Sequence, residues 1–382
     1  MKLVHACCAG LDVHKKTVVA CVRRVAADGE VVCQVLTFGT VTAELLALAD
    51  WLDARGVRRV AMESTGVYWK PVFHLLEGRF EVLLTNARDI KKPAGHKTDV
   101  KDAGWIAELL AHDLLKASFI PPPPLRELRD LTRQRAQLVR ERARVVNRIQ
   151  KVLEDANIKL ASVATDVLGA SGRAMLGALI GGNEDPAALA ALAKGRLRSK
   201  TPALTQALRG LVTDHHRFQL RTLLKQVEQL EGLIAEYGAR IEGVMAPFAE
   251  AAARLGTIPG LGAKAAEVIV AEIGTDMTKF PTAGHLASWA GLCPGNNESA
   301  GKRRTGRTTK GSQWLRTVLV QVAWSASHTK ATVFSVTYRR WAKRLGKKKA
   351  LVALGHKILV VIHKLLTEKT DYREHWTAPQ AA

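Results

Sequence analysis

Acid is what this chain has least of: 35 Asp and Glu stand against 57 Lys and Arg, a formal net charge of +22. From Ser299 to Thr367 there is no Asp or Glu at all, while 16 Lys and Arg occur there. Such a stretch repels itself unless it faces a polyanion, because neutralising phosphates releases their counterions. Nucleic acid is therefore the leading partner, and an anionic membrane surface the second. Long apolar runs are also missing, since none approaches the roughly 20 residues of a spanning helix. The Met1 to Asp12 start lacks a signal-peptide layout. Both absences point to a cytoplasmic protein with no membrane partner. Cysteine is sparse too. The five residues Cys7, Cys8, Cys21, Cys33 and Cys293 are odd in number and form no C-x-x-C pair, which indicates neither a disulfide framework nor a zinc site. Reduced, partly buried thiols are expected.

What is present fits two or three folding units in 382 residues. From Ala6 to Phe38, apolar β-rich runs broken at Gly10 and at Ala27-Asp28-Gly29 predict two or three antiparallel strands. An amphipathic helix follows around Leu45 to Leu52, then a buried strand at Val57 to Met62. A helix at Val67 to Leu76 and another strand at Phe80 to Leu84 come next. Strands first and alternating elements afterwards make a mixed sheet flanked by helices. Pro121 to Pro124 mark a stiff boundary. Beyond it, Leu125, Leu128, Leu131, Leu138, Val145, Ile149 and Val152 recur near every 3.5 residues, as do Leu220, Leu223, Val227, Leu230, Ile234, Tyr237 and Ile241. Two long helices that could pair are implied. Eight arginines between Arg126 and Arg148 crowd the first helix, as either a solvated face or a duplex-facing one. The segment from Gly169 to Gly210 reads only as helical or loop-like.

Thr257-Ile258-Pro259-Gly260-Leu261-Gly262 precedes a helical run over Ala263 to Ile273. A hydrophobic-Gly-x-Gly turn of this kind lets backbone approach a phosphate and points helix amides at it; it resembles a helix-hairpin-helix motif, or is an ordinary turn between packed helices. In the acid-free stretch, Trp314, Trp324, Tyr338 and Trp341 interleave with the cations, as stacking platforms or as core.

Four acids stand where a metal site could be built: Asp12, Glu63, Asp99 and Asp102. Hard divalent cations prefer oxygen ligands, and Mg2+ usually takes few protein carboxylates. Asp12 sits in or just after the first strand and Glu63 at the end of a later one, so adjacent strands could join them. Asp99 and Asp102 share a face if Thr98 to Leu115 is helical, with Thr98 as its cap. Ser64 and Thr65 are read as capping the helix after Glu63.

Gly-Leu-Asp-Val-His-Lys at 10 to 15, Met-Glu-Ser-Thr-Gly at 62 to 66, Lys-Thr-Asp-Val-Lys-Asp-Ala at 97 to 103, Ile-Pro-Gly-Leu-Gly at 258 to 262 and the Gly291 to Arg316 segment resemble the DEDD transposases of bacterial insertion sequences, the family numbered one-ten. The resemblance runs in order over nearly the whole chain. It implies an α/β plus α fold: an RNase H-like (Holliday-junction-resolvase-like) DEDD domain at 1–120, a helical or coiled-coil region at 121–250, and a basic, mostly helical transposase domain at 251–382. Asp12, Glu63, Asp99 and Asp102 would hold the metal, Mg2+ on general grounds, and Ser299 would be the nucleophile. Ala300 stands where many relatives have glycine. Lys302, Arg303, Arg304, Arg307 and Lys310 would hold nucleic-acid phosphates. The resemblance further implies double-stranded DNA partners (element ends and target), a noncoding bridge RNA, and a dimer or tetramer. With the acids some 200 residues from Ser299, the two domains are expected to meet in the assembly. Two other functions fit part of this pattern. A metal-dependent nuclease or junction resolvase needs the four acids without Ser299, and a non-enzymatic DNA-binding protein needs neither.

Overall fold

A computed structural model describes residues 2–64, 66–87, 90, 99–293 and 308–374, with the backbone alone for 297–299 and 302–305. Contacts divide the chain into two units, Met1–Ile120 and Pro121–Ala382.

The first unit is built on a five-stranded sheet with order β3-β2-β1-β4-β5. β1 (Cys7–Val13), β2 (Thr17–Val25) and β3 (Val31–Gly39) form an antiparallel meander, and β4 (Arg59–Glu63) and β5 (Glu81–Thr85) add on the other side of β1 in parallel. Parallel neighbours need a crossover; α1 (Thr42–Asp53) and α2 (Trp69–Leu76) supply it, and α3 (Asp99–Ala111) follows β5. Because side chains alternate along a strand, Ala9, Leu11 and Val13 of β1 join Leu45, Leu48, Leu52, Phe73 and Leu76 in a core on one face. Cys8 and Ala61 meet Ile106 and Leu110 of α3 on the other. The result is a helix–sheet–helix sandwich. Gly10 is not a break in this sheet, as its composition suggested, but the middle of β1.

In the second unit, α4 (Pro123–Asp155) and α9 (Asp214–Met245) are the two long helices, each about 50 Å from end to end. Pro122 and Pro123 occupy the cap and first turn of α4, where no N–H is required. At one end of the pair the short helices α5 (Leu160–Val163), α6 (Ala170–Ile180), α7 (Pro186–Ala191) and α8 (Thr201–Ala207) share a core with both, including Ile149, Leu153, Met175, Leu204 and Val227. Towards the chain's end come α10 (Ala249–Gly256), α11 (Ala263–Ile273), α12 (Ala283–Trp289), the hairpin β6 (Asn297–Ser299) and β7 (Lys302–Thr305), then α13 (Gln313–His328), α14 (Val333–Leu345) and α15 (Lys347–Glu368).

α15 is apolar although its run is interrupted by His356, Lys357, His363 and Lys364. This 22-residue helix contains an 18-residue window of mean hydropathy 1.6, long and apolar enough to cross a membrane by length and composition. Here Ala350, Leu354, Ile358, Leu359 and Ile362 are buried in the protein instead.

Candidate metal centre and nucleic-acid interface

Gly10 decides how the first unit assembles its acids. A Cβ there would lie 2.3 Å from the Ala103 carbonyl oxygen and 2.4 Å from the Ala107 amide nitrogen. The α3 backbone therefore rests directly on β1, with the small residues Ala103 and Ala107 at the contact. Asp12 lies two residues beyond Gly10 and so on the same face. Asp99 and Asp102 occupy the first turn of α3. Thr98, expected as the cap of α3, lies outside the described residues.

One imidazole joins two of these acids. His14 Nε2 lies 3.3 Å from Asp12 Oδ2 and 3.5 Å from Asp99 Oδ2, and the three ligand atoms all fall within 4.8 Å of one another. The Asp12 side chain is 15% exposed, against 47% for His14 and 61% for Asp99. Burial pushes the Asp12 carboxyl above its ordinary value; His14 opposes this, and the charges of Asp99 and Asp102 add to it. Asp102, half-buried, is thus close enough to be felt electrostatically. Glu63 ends β4, also half-buried. The parallel register pairs Gly10 with Ala61 and Leu11 with Met62, so one step further it sets Glu63 beside Asp12 on the α3 face. Ser64 does not cap α2: that helix begins at Trp69 with Tyr68 at its cap, while the Ser64 N–H donates to the Thr85 carbonyl at 2.8 Å. Thr65 lies outside the described residues.

The donor set suits a divalent cation. Cis ligands of an octahedral ion with bonds of about 2.1 Å stand about 3 Å apart, close to the two His14 distances, and the charges of Asp99 and Asp102, which add to the effect of burial on Asp12, are what a cation relieves. His14 was not among the acids singled out. The signal for it is its i, i+2 spacing from Asp12 at the end of β1. The neighbouring thiols are no competitors as ligands. Burial holds Cys8 up at about 11 and Cys21 at about 12, and the cysteines are free.

In the second unit, Ser299 ends β6 and faces Lys302 across the hairpin, while Arg303 and Arg304 continue β7. Arg307 lies outside the described residues, and Lys310 is exposed at the hairpin's base. That base is closed by backbone. A Cβ on Gly311 would come within 2.3 Å of Ala290 and Gly291, and the Thr309 N–H donates to the Cys293 carbonyl at 3.3 Å. Ser312 caps α13 and donates its hydroxyl to Glu272 Oε2 at 2.9 Å. Glu272 is fully buried and receives two bonds from Arg133 of α4, at 2.7 and 2.9 Å.

These contacts settle much of the arginine crowding on α4. Arg133 pairs with Glu272, Arg135 with Glu267 and Arg142 with Glu231, and Arg129 donates to the Ala271 carbonyl. Arg140 stacks on Trp314 at 4.7 Å. A groove of about 910 Å³ along these helices is mostly apolar. Unpaired cations are found elsewhere. Arg339, Arg340, Lys343, Arg344 and Lys347 to Lys349, on α14 and the start of α15, are all exposed, and no ion pair holds them among the described residues. Trp324, 58% exposed, packs against His328.

The Gly260 turn also has a packing role. Gly260 has φ +84°, and a Cβ on it would lie 2.4 Å from the Ala326 amide nitrogen of α13; Gly262, by contrast, faces open space.

A carboxylate cluster on a mixed sheet, followed by a helical unit bearing unpaired cations, is the build of a protein that acts on nucleic acid. Residues 9–158 match a family profile for the DEDD transposases of IS110 elements, described as Transposase, and residues 252–339 match one described as Transposase IS116/IS110/IS902 family. Together they span well over half of the chain. A probable family 20 transposase of Pseudomonas aeruginosa is 26% identical over 82% of this chain and 85% of its own length. The transposase for insertion sequence element IS1111A of Coxiella burnetii is 27% identical over 73% and 69%, and an IS110 insertion-element protein of Streptomyces coelicolor 28% over 75% and 74%. The chain belongs to the IS110 family of transposases. Membership implies DNA as partner, transposase activity at the level of the family, and a divalent metal.

Proposed function

We propose that the protein is a DNA recombinase that exchanges strands through Ser299, assisted by a metal held on Asp12, Glu63, Asp99 and Asp102. The observation that carries the metal half is the convergence of Asp12 and Asp99 on a single imidazole, with Asp102 and Glu63 on the same face. We read residues 1–120 as an RNase H-like catalytic domain, 121–250 as the helical connection and 251–382 as the basic transposase domain, in a cytoplasmic dimer or tetramer.

Ser299 gives up its hydroxyl proton, its oxygen bonds to a DNA phosphorus, and a deoxyribose oxygen leaves with a proton. Attack by the incoming strand's hydroxyl on that phosphoserine restores the serine and joins the new strand. A serine hydroxyl is a weak nucleophile at neutral pH and needs activation. When bound, Mg2+ supplies Lewis-acid chemistry to phosphate oxygens. Lys302, Arg303, Arg304, Arg307 and Lys310 hold phosphates near the serine. A bridge RNA pairs with target and donor DNA, so that the protein reads backbone and shape while base pairing reads sequence.

The deciding experiment incubates the protein with element-end DNA, flanking RNA and Mg2+, comparing wild type with Ser299→Ala on a denaturing gel. A protease-sensitive protein–DNA adduct that disappears in the variant is expected. Cleaved DNA without adduct in either protein would make this a carboxylate-only nuclease or junction resolvase. Binding without strand breakage would make it a DNA-binding protein.

A further inference from the structure

The geometry points to His14 as a direct ligand of the metal held by Asp12 and Asp99, one that tilts the site from Mg2+ towards Mn2+. This rests on the carboxylate reading above and adds to it a nitrogen donor. His14 Nε2 stands 3.3 Å from one carboxylate oxygen and 3.5 Å from the other. Those are nearly the spacings of cis ligands on one octahedral ion, about 3 Å. A small inward movement of three side chains therefore suffices to place a cation at bonding distance from all of them.

The backbone favours the arrangement. Asp12 lies on the α3 face of β1, and His14, directly after the strand, has its ring against the Asp12 carboxylate. Asp99 meets them because Gly10 lets α3 lie against β1. The ring has no competing partner of another kind among the described residues: its only polar contacts there are the two carboxylates. At 47% exposure it can turn from bridging the acids to binding the ion beside them.

Ligand chemistry sets the consequence. Mg2+ is hard, demands oxygen and keeps its waters, whereas imidazole suits transition-metal ions. A site of carboxylates alone would bind the two ions with little distinction, and one imidazole in the shell favours Mn2+.

Electron paramagnetic resonance of the full-length protein with Mn2+ alone tests this. Bound Mn2+ should show the electron-spin-echo modulation of a coordinated imidazole nitrogen. In His14→Gln that modulation should vanish, Mn2+ affinity should fall by about tenfold or more, and Mg2+ affinity, read by competition, should change far less. Bound Mn2+ with no nitrogen coupling, or with coupling that persists in His14→Gln, overturns the role of His14 and leaves the carboxylate site standing. No stoichiometric Mn2+ binding in the wild type, or binding unchanged in Asp12→Asn, overturns both.

Discussion

Replacing Gly10 with alanine should do more damage than the same change at any other described glycine of the first unit. The new carbon would sit 2.3 Å from the Ala103 oxygen, 2.4 Å from the Ala107 nitrogen and 3.0 Å from the Ile106 carbonyl carbon. All three are backbone atoms of one helix, so no side chain can swing aside. Ordinary contact needs about 3.5 Å, so α3 must retreat by about 1 Å. Overpacking a tight core costs about 1–3 kcal/mol, and a clash with unyielding backbone lies at the upper end. For a unit of this size that lowers the melting temperature by on the order of 10 °C. The retreat also carries Asp99 and Asp102 away from Asp12. Metal sites tolerate displacements of only about 0.5 Å, so Mn2+ affinity should fall by about tenfold or more. Gly104→Ala is the control. Its Cβ would meet nothing nearer than Cys21 Sγ at 3.9 Å, and alanine within a helix gains about 0.5–1 kcal/mol over glycine. Thermal melts and Mn2+ titrations of both variants make the comparison. A Gly10→Ala protein with wild-type melting and affinity, or a Gly104→Ala protein equally damaged, would refute the docking argument.

Three further outcomes follow from other parts of the chain. Asp12→Asn should raise the melting temperature of the metal-free protein in EDTA at neutral pH while abolishing metal binding. Burial, with Asp99 and Asp102, holds the folded carboxyl above its ordinary value. The folded state therefore keeps a proton that the unfolded chain has lost, and stability falls as pH rises through that window; the amide is spared this loss, and a lower melting temperature would contradict it. Glu272→Ala should cost about 3–5 kcal/mol in urea denaturation, because it strands Arg133 and the mostly buried Arg129, whose guanidinium burial already lowers to about 10; a loss below about 1 kcal/mol would show that the pair is not effectively buried. Gly260→Ala should lower stability by about 3 kcal/mol, having both a left-handed φ and a clash with α13, whereas Gly262→Ala should leave melting unchanged. If that turn also holds a phosphate, Gly262→Ala weakens DNA binding in a filter assay without touching the melt.

Local pattern was enough to set several elements of this protein, though not the short helices between Gly169 and Gly210. The period-2 runs between Ala6 and Phe38 became β1 to β3, and the 3.5-residue repeats became α4 and α9. A helix opening on Asp99 and Asp102 and a turn ahead of Ala263 were equally legible, since strands, helices and turns answer to neighbours a few residues away. Other features depended on residues far apart in the chain, and no period or spacing encodes them. Gly10 looks like a breaker until α3, some 90 residues later, is seen lying on it. The α4 arginines look like a solvated or duplex-facing row until Glu267, Glu272 and Glu231, about 90 to 140 residues on, are found against three of them. Gly260 reads as a turn glycine on local pattern alone, and only the fold shows α13 packed against it. Nothing near His14 in sequence places it beside Asp99; α3 does so. In each case the deciding contact joins elements whose meeting is selected by burial of the whole unit, and burial is a property of the packed chain.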